Sequence, residues 1–117
     1  MHNEFVRYLL ELLEPFAPVR AQAMFGGYGI YRHGLMFGLV DNDTLFLKTD
    51  GATREAFQGR GLKPFTYKRQ GRDIALTYYE APAEAVDNAE ELRIWAQMAY
   101  DAAVRAARSN LKKKQGT

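Results

Sequence analysis

The sequence predicts an α+β fold whose elements run helix, three strands, helix, two strands, helix, and three observations carry that prediction. Met24 to Asp50 holds three runs of aromatic and branched residues, cut by Arg32-His33-Gly34 and by Asp41-Asn42-Asp43-Thr44, both of which are turn chemistry. Connections that short cannot cross over a sheet, so consecutive strands must fold back on each other as an antiparallel meander. Apolar residues recur at helical spacing near both ends of the chain, and Gln70-Gly71 separates a second pair of strands.

The first helix runs from an N-cap at Asn3 to Glu14, with Phe5, Leu9, Leu12 and Leu13 as its apolar stripe. It ends before Pro15, because the residue preceding a proline disfavours helical geometry, and Pro15-Phe16-Ala17-Pro18 is a rigid connector. In the meander, alternation sets Tyr28 and Ile30 on one face and Tyr31 on the other. By the same rule Leu35, Phe37 and Leu39 oppose Met36 and Val40, and Leu45 and Leu47 oppose Thr44, Phe46 and Lys48. Both faces then carry large apolar groups, so helices on one side would leave an apolar second face.

Thr49 to Gln58 reads as a short helix capped by Thr49 or Asp50 and anchored by Ala56 and Phe57. Strands from Phe65 to Arg69 and from Ile74 to Tyr79 follow, and Pro82 closes the second. The last helix starts after Asp87 or Asn88 and runs to about Arg108. Leu92, Trp95, Ala99, Ala102 and Ala106 trace one face, with Ile94 and Met98 widening it. Residues 1–108 are thus expected to form a single domain, and 109–117, with Lys112-Lys113-Lys114, a flexible basic tail.

A chain of 117 residues with 47% hydrophobic and 26% charged residues has the size and composition of one globular domain. No segment approaches the roughly 20 apolar residues that span a bilayer, and Met-His-Asn-Glu lacks the basic, then apolar start of a signal peptide. The absence of cysteine agrees with a cytoplasmic protein and removes thiolate chemistry. The only serine is Ser109 and the two histidines are His2 and His33, so no triad of nucleophile and oriented base assembles. Asp41 and Asp43 suit a turn for backbone reasons rather than a metal, and Gly26, Gly27 and Gly29 miss the dinucleotide fingerprint because Arg32 stands where a third glycine is needed. No catalytic residue, metal or cofactor is expected.

Five motifs bear a family resemblance: Met24-Phe25-Gly26-Gly27-Tyr28-Gly29-Ile30-Tyr31, Gly34-Leu35-Met36-Phe37-Gly38-Leu39-Val40, Leu45-Phe46-Leu47-Lys48-Thr49-Asp50, Pro64-Phe65-Thr66-Tyr67 and Tyr78-Tyr79-Glu80-Ala81-Pro82. In this order they resemble the N-terminal domain of the TfoX/Sxy family, bacterial regulators of competence for DNA uptake. The resemblance covers roughly residues 5–105. It implies a two-layer α+β domain with an antiparallel five-stranded sheet, in the order α-β-β-β-α-β-β-α. The best-known regulators of the family carry a second, C-terminal domain, and this sequence is read as a single-domain member. No catalytic residue comes with the resemblance.

Three functional expectations follow. The first is a non-catalytic protein-interaction domain in transcription regulation, bound to the transcription machinery, to another regulator or to a second copy of itself, with Tyr31, Phe37 and Phe46 as interface residues. The alternative is a nucleic-acid-binding module using the basic hairpin tip and helix end, Lys68, Arg69, Arg72, Arg105, Arg108, Lys112, Lys113 and Lys114. Its affinity would be weak and salt-sensitive, since few phosphates are met and the net charge is only +2. A third reading is a small-ligand pocket between sheet and helix. No membrane association is expected.

Overall fold

The computed structural model describes the backbone of residues 3–24 and 26–115 and the side chains of these up to Lys112. The order is α1 (Glu4–Leu12), β1 (Arg20–Met24), β2 (Gly27–Arg32), β3 (Leu35–Asp41), β4 (Thr44–Lys48), α2 (Arg54–Gln58), β5 (Pro64–Arg69), β6 (Arg72–Glu80), α3 (Ala83–Val86) and α4 (Ala89–Gln115). The strands form one antiparallel sheet in the order β1-β2-β3-β4-β6-β5, and helices pack on one face of it. The sheet therefore has six strands where the sequence predicts five. The additional strand is β1, an edge strand reading Arg-Ala-Gln-Ala-Met that pairs Arg20 with Tyr31 and Met24 with Gly27. It has no branched or aromatic residue before its end, so it carries none of the usual strand signal.

The hairpins explain the meander. His33 and Gly34 have φ of 50° and 76°, Asn42 and Asp43 of 51° and 55°, and Gln70 and Gly71 of 53° and 78°. Each pair lies between directly paired strand residues, Arg32 with Leu35, Asp41 with Thr44 and Arg69 with Arg72. Two central residues at positive φ define the type I′ turn, whose twist matches that of the strands it joins.

Alternation along β3 is interrupted. Ile30 faces Gly38 while Tyr31 faces Met36, which leaves Phe37 as the extra residue of a β-bulge. Up to the bulge, Leu35 and Phe37 point to the helices. Beyond it Val40, together with Ile30, Leu45 and Leu47, does so. Leu39 therefore shares the opposite face with Met36 and not, as strict period two predicts, with Phe37.

The helices pack through short anchors. The Asn3 side chain accepts a hydrogen bond from the Val6 amide at 2.8 Å, and Val6, Leu9 and Leu13 are buried. Helix α2 begins at Arg54 rather than near Asp50. Residues 50–53 instead form a turn in which the Asp50 carboxylate accepts from the Ala52 amide and the Thr53 hydroxyl accepts from the Asp50 amide. The Asn88 side chain caps α4 by accepting from the amides of Glu90 and Glu91. The buried stripe of α4 is Leu92, Trp95, Ala96, Ala99, Ala102 and Ala103, which turns Ile94 outward to 52% exposure. Its alanines let it lie close against β3 and β4. The helix also continues through Ser109–Gln115, where a tail is expected from the lysine run, because Leu111, three lysines and Gln115 are good helix formers with no glycine before Gly116.

Candidate functional site

The face of the sheet turned away from the helices is curved and apolar. Met24 of β1, Met36 and Leu39 of β3, Phe65 and Tyr67 of β5 and Leu76 of β6 line a concavity of about 580 Å³. Residues from both edge strands meet around the central β3, so the sheet curls toward this side. Phe46 flanks the groove, its ring edge-on to Phe65 at 5.1 Å. The small-ligand expectation placed a pocket between sheet and helix; the large concavity lies instead on the opposite face.

Polar groups border the apolar floor at the end where Lys48 pairs with Tyr78. The Tyr78 hydroxyl donates to the Met36 carbonyl at 3.2 Å, and burial, aided by nearby Tyr31, pushes its pKa up to about 12. The Lys48 ammonium donates to the Thr77 hydroxyl at 2.6 Å and stands 5.4 Å from the centre of the Tyr78 ring. Burial lowers its pKa, with Asp50 opposing that shift. Gly29 lies on the same face because a Cβ there would sit 2.7 Å from the Met36 sulfur and 2.8 Å from the Tyr31 ring.

Of the three interface residues named from sequence, Tyr31 and Phe46 lie on this open face and are partly exposed. Phe37 does not. It is 0% exposed on the helix side, with ring centroids 5.6 Å from Phe16 and 6.2 Å from Tyr100, because the bulge reverses its side. Met24, Phe65, Tyr67 and Leu76 escaped the sequence reading, since only the curl of the sheet gathers them. The strict alternation of Phe65 and Tyr67 was the signal that could have pointed to them.

The basic residues are dispersed in role. Lys68 pairs with Asp73 at 3.2 Å across the hairpin tip, where Arg69 and Arg72 are exposed. Arg105 is not free for phosphate, because it grips both oxygens of Asp50, at 2.6 and 3.2 Å. Arg108 and Lys112 are exposed along α4, while the Lys113 and Lys114 side chains, like His2, lie outside the described residues. The hydrogen bond from Arg105 holds the Asp50 carboxyl below the usual carboxylate range. A depressed carboxyl pKa contributes stability that is present above the unfolded-state value and lost as pH falls through the folded one. Arg105→Gln should therefore cost up to about 1 kcal/mol at neutral pH, the ceiling for a pair this exposed, and the gap to the parent should close below about pH 4 in urea unfolding. A gap that stayed constant with pH would mean that the pair contributes only through packing.

Among the described residues no group of three or more histidine, cysteine or carboxylate side chains could hold a metal ion, and no helix is long and apolar enough to cross a membrane. The molecule is thus a two-layer α+β domain whose antiparallel sheet is helix-covered on one side and open, concave and apolar on the other. The chain belongs to the family of the TfoX N-terminal domain, whose model matches residues 11–103. Comparison with curated proteins gives no match.

Proposed function

We propose that this domain is a non-catalytic interaction module of transcription regulation, of the kind its family suggests for competence, and that its open face receives an apolar segment of another protein. The observation that carries this reading is the 580 Å³ apolar groove on a sheet face that the domain's own helices leave uncovered. Two methionines and three aromatic rings in and beside it, Met24, Met36, Phe46, Phe65 and Tyr67, are the adaptable and the rigid surfaces that interfaces favour. A concave face is filled by a convex element such as a helix, which argues against two copies meeting groove to groove.

The test is capture of partners from native cytosol, after nuclease treatment and at two salt concentrations, with the parent beside Phe46→Asp and Tyr67→Asp. Tyr67 is exposed and Phe46 half-buried, so each variant is first shown to unfold as the parent does. A protein partner retained by the parent and weakened about tenfold or more by each variant is the expected result. A partner held equally by all three overturns the assignment of the groove. Recovery of nucleic acid that disappears at higher salt would transfer the role to Arg69, Arg72, Arg108 and Lys112.

A further inference from the structure

Arg32 occupies an unusual position on the helix side of the sheet. It is the last residue of β2, and alternation from inward Ile30 through outward Tyr31 puts its side chain, with that of its partner Leu35, on the face packed by α4. Its guanidinium carbon lies 4.6 Å from the centre of the Tyr100 ring and 5.0 Å from that of Phe16. Aromatic rings of α4 and of the connector after α1 therefore hold the planar cation from two directions. Ring contacts of this kind favour the charge of a guanidinium but leave its five N–H donors without hydrogen-bond acceptors.

Those donors are unused. Arg32 makes no hydrogen bond or ion pair among the described residues, and its Nε is buried with no acceptor. Other arginines also lack a polar partner, but among the described residues Arg32 alone has a buried side-chain nitrogen without one. Arg60 pairs with Glu84, Arg93 with Glu90 and Arg105 with Asp50. Nor does the surrounding chain offer a substitute. Asp101, next to Tyr100, accepts from Gln97 at 2.9 Å, and His33 leans on the Tyr100 ring at 6.4 Å. Arg32 thus lies among aromatic rings with no carboxylate paired to it among the described residues.

We propose that Arg32 is an oxyanion-binding site, in which its two terminal nitrogens take a carboxylate or phosphate group end-on. The unpaired Nε is enclosed, so the outward pair of nitrogens forms the accessible fork, and two parallel N–H donors match two oxygens of such a group. Removal of water by the two rings strengthens those donors toward an anion, since a partly desolvated cation without a counter-ion gains most from acquiring one. The site lies across the sheet from the apolar groove and does not depend on it.

The test is a nuclear magnetic resonance titration of the full chain, following the arginine Nε–H signals and the amides of His33 and Gly34. Inorganic phosphate and acetate are added separately, each at constant ionic strength. Saturable shifts centred on Arg32, with a Kd in the millimolar range, are expected. Phosphate alone saturating assigns a phosphate ligand, and acetate alone a carboxylate. Arg32→Lys keeps the charge without the fork and should weaken binding at least about fivefold. Shifts that fail to saturate with either anion overturn the proposal. So do shifts centred on the Arg69–Arg72 hairpin, or an Arg32→Lys variant that binds as the parent does. The titration of the parent decides the matter even if the variant folds poorly.

Discussion

Phe37→Ala should lower the unfolding free energy by about 3–5 kcal/mol in urea titrations, the cost of deleting a wholly buried phenylalanine and leaving a cavity. Phe37 is fully enclosed between Phe16 and Tyr100, and α4 lies over β3, so few neighbours can collapse into the space. The same substitution at Phe46, which is partly exposed on the open face, should cost clearly less, since part of its ring already meets solvent. Equal losses at the two positions would show that the bulge does not turn Phe37 inward. The comparison also separates residues that build the domain from residues free to serve it, because only a side chain whose removal leaves the fold standing can be tested for binding.

A second large effect is expected at Gly27, where β2 begins. A Cβ there would stand 2.2 Å from the carbonyl oxygen of Val40 on the adjacent strand. That oxygen belongs to backbone and cannot rotate away as a side chain could. Gly27→Ala must separate β2 from β3 or tilt the first hairpin, at a cost of about 3 kcal/mol. Gly51 supplies the control, because a Cβ there meets nothing within 4 Å and its φ is ordinary for any residue. Gly51→Ala should change stability by no more than about 0.5 kcal/mol. If both variants unfold at the same urea concentration, the close approach at Val40 is not a constraint.

These contrasts show where the sequence was legible. The turns at His33-Gly34, Asn42-Asp43 and Gln70-Gly71 were readable because each pair holds a glycine or asparagine, which tolerate positive φ, and the caps at Asn3 and Asn88 because a short amide side chain precedes an apolar stripe. Strand β1 was not readable, since its residues are held by pairing with β2 rather than by their own preference. The bulge was hidden as well, for period two is an assumption about each strand alone while register is a property of two. That one residue moved Phe37 out of the candidate site and Leu39 into it. The groove was half legible. Tyr31 and Phe46 fell on the right face, but Tyr67 and Leu76 reach it only through the curl of the sheet. Likewise, Arg105 looked available for phosphate until folding placed Asp50 against it.

The chain of two-residue turns has a kinetic consequence. From β1 to β4 every strand pairs with the one just before or after it in sequence, so residues 20–48 can zip together without closing a long loop. Among the described residues one strand pairing interrupts this locality, that of β4 with β6, where Lys48 must meet Tyr78 across the intervening helix and β5. Chain entropy opposes that step most, and the docking of Phe57 between Tyr79 and Trp95 rewards it. The meander is thus a ready template, and the return of β6 to its edge is the strand pairing that closes the longest stretch of chain.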